Sequence, residues 1–284
     1  MNRSLDPDQY RSYLEGTAEA LRKTFGPAPD FAVVFGSGLG TAFLERFPHA
    51  EAVPFRQIPH WMDPRVEGHS GEILQIQSGG HESPRTLVLR GRIHYYEGYP
   101  PEQVVFPVRA MALWGIKRLV LTNSSGSIRD SLRPGRLAWI RDHLNFTGVN
   151  PLRGPNLDFL GVRFPSLRSA YDNSFSRRFR ETAKRLRMSL PSAVYVGIAG
   201  PSYETEAEIR AFRKLGGELI GMSTVLEAIA AAHAGVEVTA LSAVTNSCLH
   251  RKRPLNHAEV LANARRVDLQ LAKLLWKVLS KEGG

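Results

Sequence analysis

Hydrophobic positions first recur at helical spacing: Tyr10, Leu14, Ala18, Leu21 and Phe25 fall three or four residues apart, the period that paints one face of a helix. Asp6 suits an N-cap, Pro7 suits the first helical position, and Gly26-Pro27 stops the run, so a helix is predicted from Pro7 to about Phe25. The pattern then alternates. Short runs rich in Val, Ile and Leu (Phe31 to Phe35, Thr86 to Leu89, Arg118 to Thr122, Ala193 to Ile198, Glu237 to Thr245) are separated by amphipathic stretches. Near-continuous apolar strands between helices predict an α/β fold whose sheet is covered on both faces and largely parallel. Thr205 with Glu208, and Thr224 with Glu227, form capping boxes ahead of two further helices, which Gly216 and Gly235 end. From about Asn256 a last helix carries Val260, Ala264, Val267, Leu271, Leu274, Leu275 and Val278 as one apolar stripe, the mark of a helix packed on a core. Asn150 to Asp172 holds three prolines, two glycines and no period, which predicts a long loop of the kind that serves function or an interface.

Composition narrows this picture. With 284 residues, 43% hydrophobic and 23% charged, the chain has an ordinary globular mix. No internal repeat, low-complexity segment or linker divides it, so a single domain over residues 1–284 is expected. The longest apolar runs, such as Val236 to Val244, reach about half of the ~20 residues a membrane span needs. The N-terminus develops no apolar leader, which points to the cytoplasm. Cys248 is the only cysteine, so neither an internal disulfide nor a cysteine cage for zinc can form. Lysine and arginine outnumber acids 37 to 27, for a net charge of +10. That balance invites a nucleic-acid partner, yet the basic residues are scattered in ones and twos and match no nucleic-acid-binding pattern. They describe a solvated basic surface whose field speeds capture of a small anion.

Candidate chemistry gathers at the strand ends, where open parallel sheets bind ligands. The first strand runs into Gly36-Ser37-Gly38-Leu39-Gly40, either a phosphate nest of amides and a hydroxyl or a plain tight turn. After Thr86 to Leu89 come Arg92, His94 and Tyr96. If the strand continued, alternation would aim a guanidinium, an imidazole and a phenol the same way. Asn123-Ser124-Ser125-Gly126-Ser127, Gly200-Pro201-Ser202-Tyr203-Glu204-Thr205, Gly221-Met222-Ser223-Thr224 and Thr245-Asn246-Ser247 end the other runs. No nucleophile-base triad and no zinc-protease signature appears, so neither covalent catalysis nor a metal is expected.

Together these segments resemble the trimeric purine nucleoside phosphorylases. The likeness spans nearly the whole chain and is most specific at Gly68-His69-Ser70-Gly71, Gly91 to Pro100, Asp142-His143-Leu144-Asn145, Ala199 to Thr205 and Gly221-Met222-Ser223-Thr224. It implies a three-layer α/β/α phosphorylase-type fold with a mixed, mostly parallel central sheet. It also implies reversible phosphorolysis of purine (deoxy)ribonucleosides with phosphate as co-substrate, no metal or organic cofactor, and a homotrimer. By this resemblance phosphate is held by Ser37, His69, Arg92, His94, Ser124 and Ser223. The nucleoside meets Tyr96, Tyr203, Glu204, Met222, Asn246 and His257, and His69, Glu204 and Asn246 carry the catalysis.

Residue chemistry adds a base preference. A carboxylate at Glu204 accepts the N1 hydrogen of guanine or hypoxanthine but faces a lone pair on adenine. Relatives that take methylthioadenosine carry aspartate at the Asn246 position and lack this glutamate, so inosine and guanosine are the expected substrates. A relative preferring xanthosine or methylthioinosine, and a non-catalytic nucleoside-binding protein, are the competing readings. Departures from the family pattern are Ser127, expected to add bulk at a turn, Leu226 in place of a proline, and Ser247 in place of a lysine. The phenylalanine that covers a neighbouring subunit's sugar in the animal enzymes aligns with Leu160, beside Phe159.

Overall fold

The computed structural model describes residues 6–77, 83–249 and 257–280, with side chains of the last segment from Val260 onward. Its elements are α1 (Pro7–Phe25), β1 (Phe31–Val34), α2 (Thr41–Leu44), β2 (Ala52–Pro54), β3 (Glu72–Gln77), β4 (Arg85–Arg90), α3 (Pro101–Val104), α4 (Phe106–Trp114), β5 (Arg118–Ser127), β6 (Arg136–Phe146), α5 (Ser174–Arg185), β7 (Ser192–Ile198), α6 (Glu206–Lys214), β8 (Leu219–Gly221), α7 (Val225–His233), β9 (Glu237–Ser247) and α8 (His257–Leu279). Asp6 caps α1 by accepting from the Gln9 N–H at 3.4 Å, and Gly26 ends it at φ 78°. Both capping boxes form as the sequence predicts, at α6 and α7. The stretch from Asn150 to Asp172 contains no helix or strand.

Among the described residues nine strands join in the order β2-β3-β4-β1-β5-β8-β7-β6-β9. Five ladders are parallel and four antiparallel, so the sheet is mixed more evenly than the apolar runs predict. Because β9 also pairs along the length of β5, the strands β5, β8, β7, β6 and β9 close on one another while β2, β3, β4 and β1 fan out flat. Along β1 the side chains alternate between two cores: Ala32 and Val34 pack toward α1, α4 and α7, and Phe31 and Val33 toward α5 and α8. Helices therefore cover both faces of the flat part, and the carboxyl ends of β1, β5 and β9 come out side by side.

Two local expectations change. Strand β4 stops at Arg90, because Gly91 takes φ 119° and the chain leaves the sheet before Arg92. Ser127 is the last residue of β5 rather than part of a turn, and its hydroxyl both donates to the Arg129 carbonyl and accepts from the Arg129 N–H. Leu226 lies in the first turn of α7, buried in the core.

The apolar stripe of α8 packs as its spacing predicts, with Ala264, Val267, Leu271, Leu274, Leu275 and Val278 all fully buried. Leu271→Ala is accordingly expected to cost about 2–5 kcal/mol, read as a lowered urea midpoint. A shift no larger than that of a surface substitution would show that α8 is not seated on the sheet.

Candidate active site

The glycine-rich loop leaves β1 in a position where no side chain fits. A Cβ on Gly36 would come within 2.9 Å of the Asn123 Cα, while the Gly36 N–H donates to the Thr122 hydroxyl at 3.0 Å. The next residue, Ser37, places Oγ 2.8 Å from His69 Nε2. Since His69 Nδ1 accepts from the Arg92 N–H at 3.2 Å, the neutral ring carries its proton on Nε2 and donates it to Ser37. The serine hydroxyl hydrogen is thereby left to point at an anion. Gly91 makes this possible, because a side chain there would collide with the His69 ring.

Arg92 is buried, 6% exposed. Its Nε donates to Glu227 at 2.9 Å and Nη1 to the Thr122 carbonyl at 2.8 Å, whereas Nη2 has no hydrogen-bond partner among the described residues. A buried guanidinium nitrogen without an acceptor costs free energy that a bound oxyanion would recover. Beside it, the His94 ring lies 3.0 Å from Glu97 through Nδ1 and stacks on Tyr96 with centroids 4.8 Å apart. Burial pushes the His94 imidazole down, against the opposing pull of Glu97, so the ring is neutral at pH 7. Burial works against the Glu97 carboxylate, yet hydrogen bonds from the His94 ring and from the Arg65 and His94 amides outweigh it and hold its pKa below the usual range. Burial also pushes the Tyr96 phenol up, which keeps it a hydroxyl.

Ser223 reaches the cleft through a strained turn. Thr224 sits at φ 71°, ψ −46° and the Val225 N–H donates to the Ser223 carbonyl at 2.7 Å, which together make a γ-turn of the rare kind. Hydrogen bonds from Asn123 Nδ2 to the Thr224 hydroxyl and from the Thr224 N–H to Glu227 hold it. Strain retained at a cluster of polar groups is a mark of function. Across the cleft, β9 slips against β5 so that Ser125 pairs with Val244 and Gly126 with Asn246. Thr245 is the extra residue of this bulge, which turns Asn246 toward the opening. Glu204 stands just before the α6 capping box, and Tyr203, 42% exposed, lies at the mouth.

These side chains line one cleft of about 280 Å³. It brings together Ser37, Arg92, His94, Tyr96, Ser124, Tyr203, Glu204, Met222, Ser223 and Asn246, ten of the residues singled out from the sequence. His69 stands behind Ser37 and faces an adjoining cavity. The Ser124 hydroxyl donates inward to the Ser37 carbonyl at 3.0 Å, so that residue offers its backbone to the cleft. The side chain of His257 lies outside the described residues. Sequence reading missed Thr122, Glu97 and Asn123, and it read Glu227 only as a helix cap. It also aligned Leu160, with Phe159 one place earlier, with the position of the covering phenylalanine. Both pack within this chain, Phe159 beneath the Arg11 guanidinium at 4.9 Å, while Phe164 of the same loop is 87% exposed.

Residues 30–280 match the family model described as the phosphorylase superfamily. The chain is 40% identical over 95% of its length to purine nucleoside phosphorylase 1 of Geobacillus stearothermophilus, covering 97% of that protein. With the purine nucleoside phosphorylase of Bos taurus it shares 36% identity over 94% of this chain and 93% of that one. Crystal structures of the Schistosoma mansoni purine nucleoside phosphorylase with inosine and with adenosine superpose with TM-scores of 0.86 at 30% and 32% identity. Each covers 95% of this chain, and 96% and 97% of the respective structure.

Two outcomes follow from the geometry. Glu227→Ala strands a buried guanidinium and is expected to cost about 3–5 kcal/mol in urea unfolding and to abolish phosphate binding; a variant as stable as the parent would disprove the pair's importance. Burial lowers the pKa of His94, His143 and His233 below the ordinary 6.5, the charge of Arg109 adding to the effect at His233. The unfolded chain therefore binds more protons below that pH than the native one, and stability present above pH 6.5 is lost as pH falls. The thermal midpoint should drop between pH 7 and pH 5, and a flat profile would contradict the burial of these rings.

Proposed function

The chain belongs to the purine nucleoside phosphorylases of the phosphorylase superfamily, and on that footing we infer that its cleft carries out reversible phosphorolysis of inosine, guanosine and their 2′-deoxy counterparts. The observation that carries this reading is the unpartnered Nη2 of Arg92 beside the Ser37–His69 pair, set across one cleft from Glu204 and Asn246. One end supplies donors for an oxyanion. The other supplies an acceptor and an amide for a purine.

Phosphate held by Ser37, with His69 orienting its hydroxyl, and by Arg92, His94, the Ser124 backbone and Ser223 presents an oxygen beneath C1′. As the new C–O bond forms, the bond from C1′ to N9 breaks and its electrons pass into the purine. The proton that dihydrogen phosphate gives up on bonding to C1′ reaches N7 of the base by way of solvent; Asn246 accepts from that N7–H and donates to O6, while Glu204 accepts from N1–H. Donation from Asn246 to O6 strengthens as negative charge collects on the leaving base, which is what stabilises a transition state over a ground state, while the Glu204 contact fixes the orientation of the base. Ribose 1-phosphate and the free base leave, and the same contacts serve the reverse reaction. Tyr96 and Met222 flank the sugar and Tyr203 the base, and the family resemblance assigns the 5′-hydroxyl to His257. No cofactor enters.

The enzyme is further proposed to be a single-domain chain of the cytoplasm that takes no nucleic acid or membrane as partner. Among the described residues no helix is long and apolar enough to cross a membrane. Its relatives' pattern supports a homotrimer with a loop aromatic over the neighbouring sugar. Phe164, the exposed aromatic of that loop, takes this role in place of Phe159 and Leu160.

Base release should be measured from inosine, guanosine, xanthosine and adenosine, each with and without phosphate. Phosphate-dependent release from inosine and guanosine is expected, with adenosine much slower even though the Schistosoma mansoni enzyme holds it in a crystal. Glu204→Gln should lower kcat/KM for inosine by about 10²-fold, the cost of replacing the charged acceptor that pairs with N1–H. Release without phosphate would make the enzyme a hydrolase, and binding without release would make it a nucleoside-binding protein.

A further inference from the structure

Helix α8 touches the two ends of the cleft at separate points. Asp268, 3% exposed, accepts from the Gly40 N–H at 2.7 Å and the Ala42 N–H at 2.8 Å. Its carboxylate therefore serves as the cap that Gly40 cannot give the start of α2, and it fastens the far end of the phosphate-side loop. The middle of that loop lies flat on the same helix, since a Cβ on Gly38 would stand 3.1 Å from the Ala264 Cβ. One turn and a half earlier, Asn263 Nδ2 donates to the Thr245 carbonyl at 2.7 Å. Thr245 is the bulge residue that turns Asn246 toward the base.

Strand β5 fixes only the start of the loop, through the Thr122 and Ser124 hydroxyls on Gly36 and Ser37, and leaves its far end to α8. β1 and β9 are separated by β5, and the loop leaves the sheet at Gly36, so nothing in the ladder sets Gly40 relative to the bulge. Displacement at C1′ requires the nucleophile and the departing base to be held on opposite faces of the sugar at a set separation. A misplacement of about 1 Å can cost on the order of 10²-fold in rate.

We propose that Asp268 and Asn263 are positioning residues through which α8 sets the spacing between the phosphate-holding loop and the base-holding end of β9. The proposal rests on the phosphorolysis reading given above. Neither residue touches the substrate; each acts through a backbone group of a segment that does. A carboxylate suits position 268 because both its oxygens accept. An amide there would turn an N–H₂ toward one of the two backbone donors and release that end of the loop.

The test is steady-state kinetics of Asp268→Asn and Asn263→Ala in the full chain, varying phosphate at saturating inosine and inosine at saturating phosphate. Asp268→Asn is expected to raise KM for phosphate about tenfold and leave KM for inosine within about twofold. Asn263→Ala is expected to do the reverse and to change the ratio of guanosine to inosine turnover. A merely structural role would lower the thermal midpoint and the active fraction while leaving both KM values in place, and that result overturns the proposal. So does a variant that raises both KM values alike. Should Asp268→Asn not fold, Asn263→Ala decides alone: an unchanged KM for inosine overturns the proposal, a selective rise supports it. Parent enzyme without phosphate-dependent release would instead sink the phosphorolysis reading itself.

Discussion

The buried pair of Arg92 and Glu227 is the constraint from which the rest of the site takes its shape. Both side chains are 5% exposed and meet at 2.9 Å, and a guanidinium so placed is tolerable only if its donors are met. Glu227 is committed twice over, since its other oxygen accepts from the Thr224 N–H. The chain after β4 is thereby tied to the first turn of α7, and the tie holds Thr224 in the γ-turn that presents Ser223. Three segments far apart in sequence reach one anion site because their alternative is an unpaired buried charge. Organising the site and closing this part of the core are the same event.

That tie explains what was and was not legible beforehand. The strand ends were, because apolar runs stop there in glycines, serines and asparagines whose chemistry is plain at sight. Glu227 was half legible: a capping box is a local pattern, but a partner 135 residues away leaves no local trace. Strand β6 was missed because only its first half is buried. Its polar second half, from Arg141 to Phe146, is held extended by register with β7. The sheet looked more parallel than it is because every antiparallel ladder involves β2, β3, β6 or β8, strands too short or too polar to stand out as apolar runs. Arg92 and His94 did converge, though by a chain that departs the sheet at Gly91 rather than by strand alternation. For the loop from Asn150 to Asp172, its existence was legible from prolines and absent period. Which of its aromatics stays free was not, since Phe159 is taken by contacts with Arg11 and the first helix.

Charge tells a related story about how phosphate is held. The chain carries +10 overall, yet the one arginine that lines the cleft among the described residues is already neutralised by Glu227, and the buried His94 is uncharged at neutral pH. Ser37, Ser223 and backbone amides supply dipoles rather than full charges. An anion clamped by several unpaired cations would be stabilised most in the ground state, where its charge is most localised, and attack at C1′ would then be harder. Neutral donors in fixed positions hold the oxyanion without sinking it into so deep a well. The fixed geometry matters more than the field, which is why so many of the hydrogen bonds described here fasten backbone to backbone-facing side chains instead of pointing at the ligand. The basic surface can then serve capture, where long-range attraction raises the encounter rate, while fixed donors inside the cleft hold the anion for the chemistry.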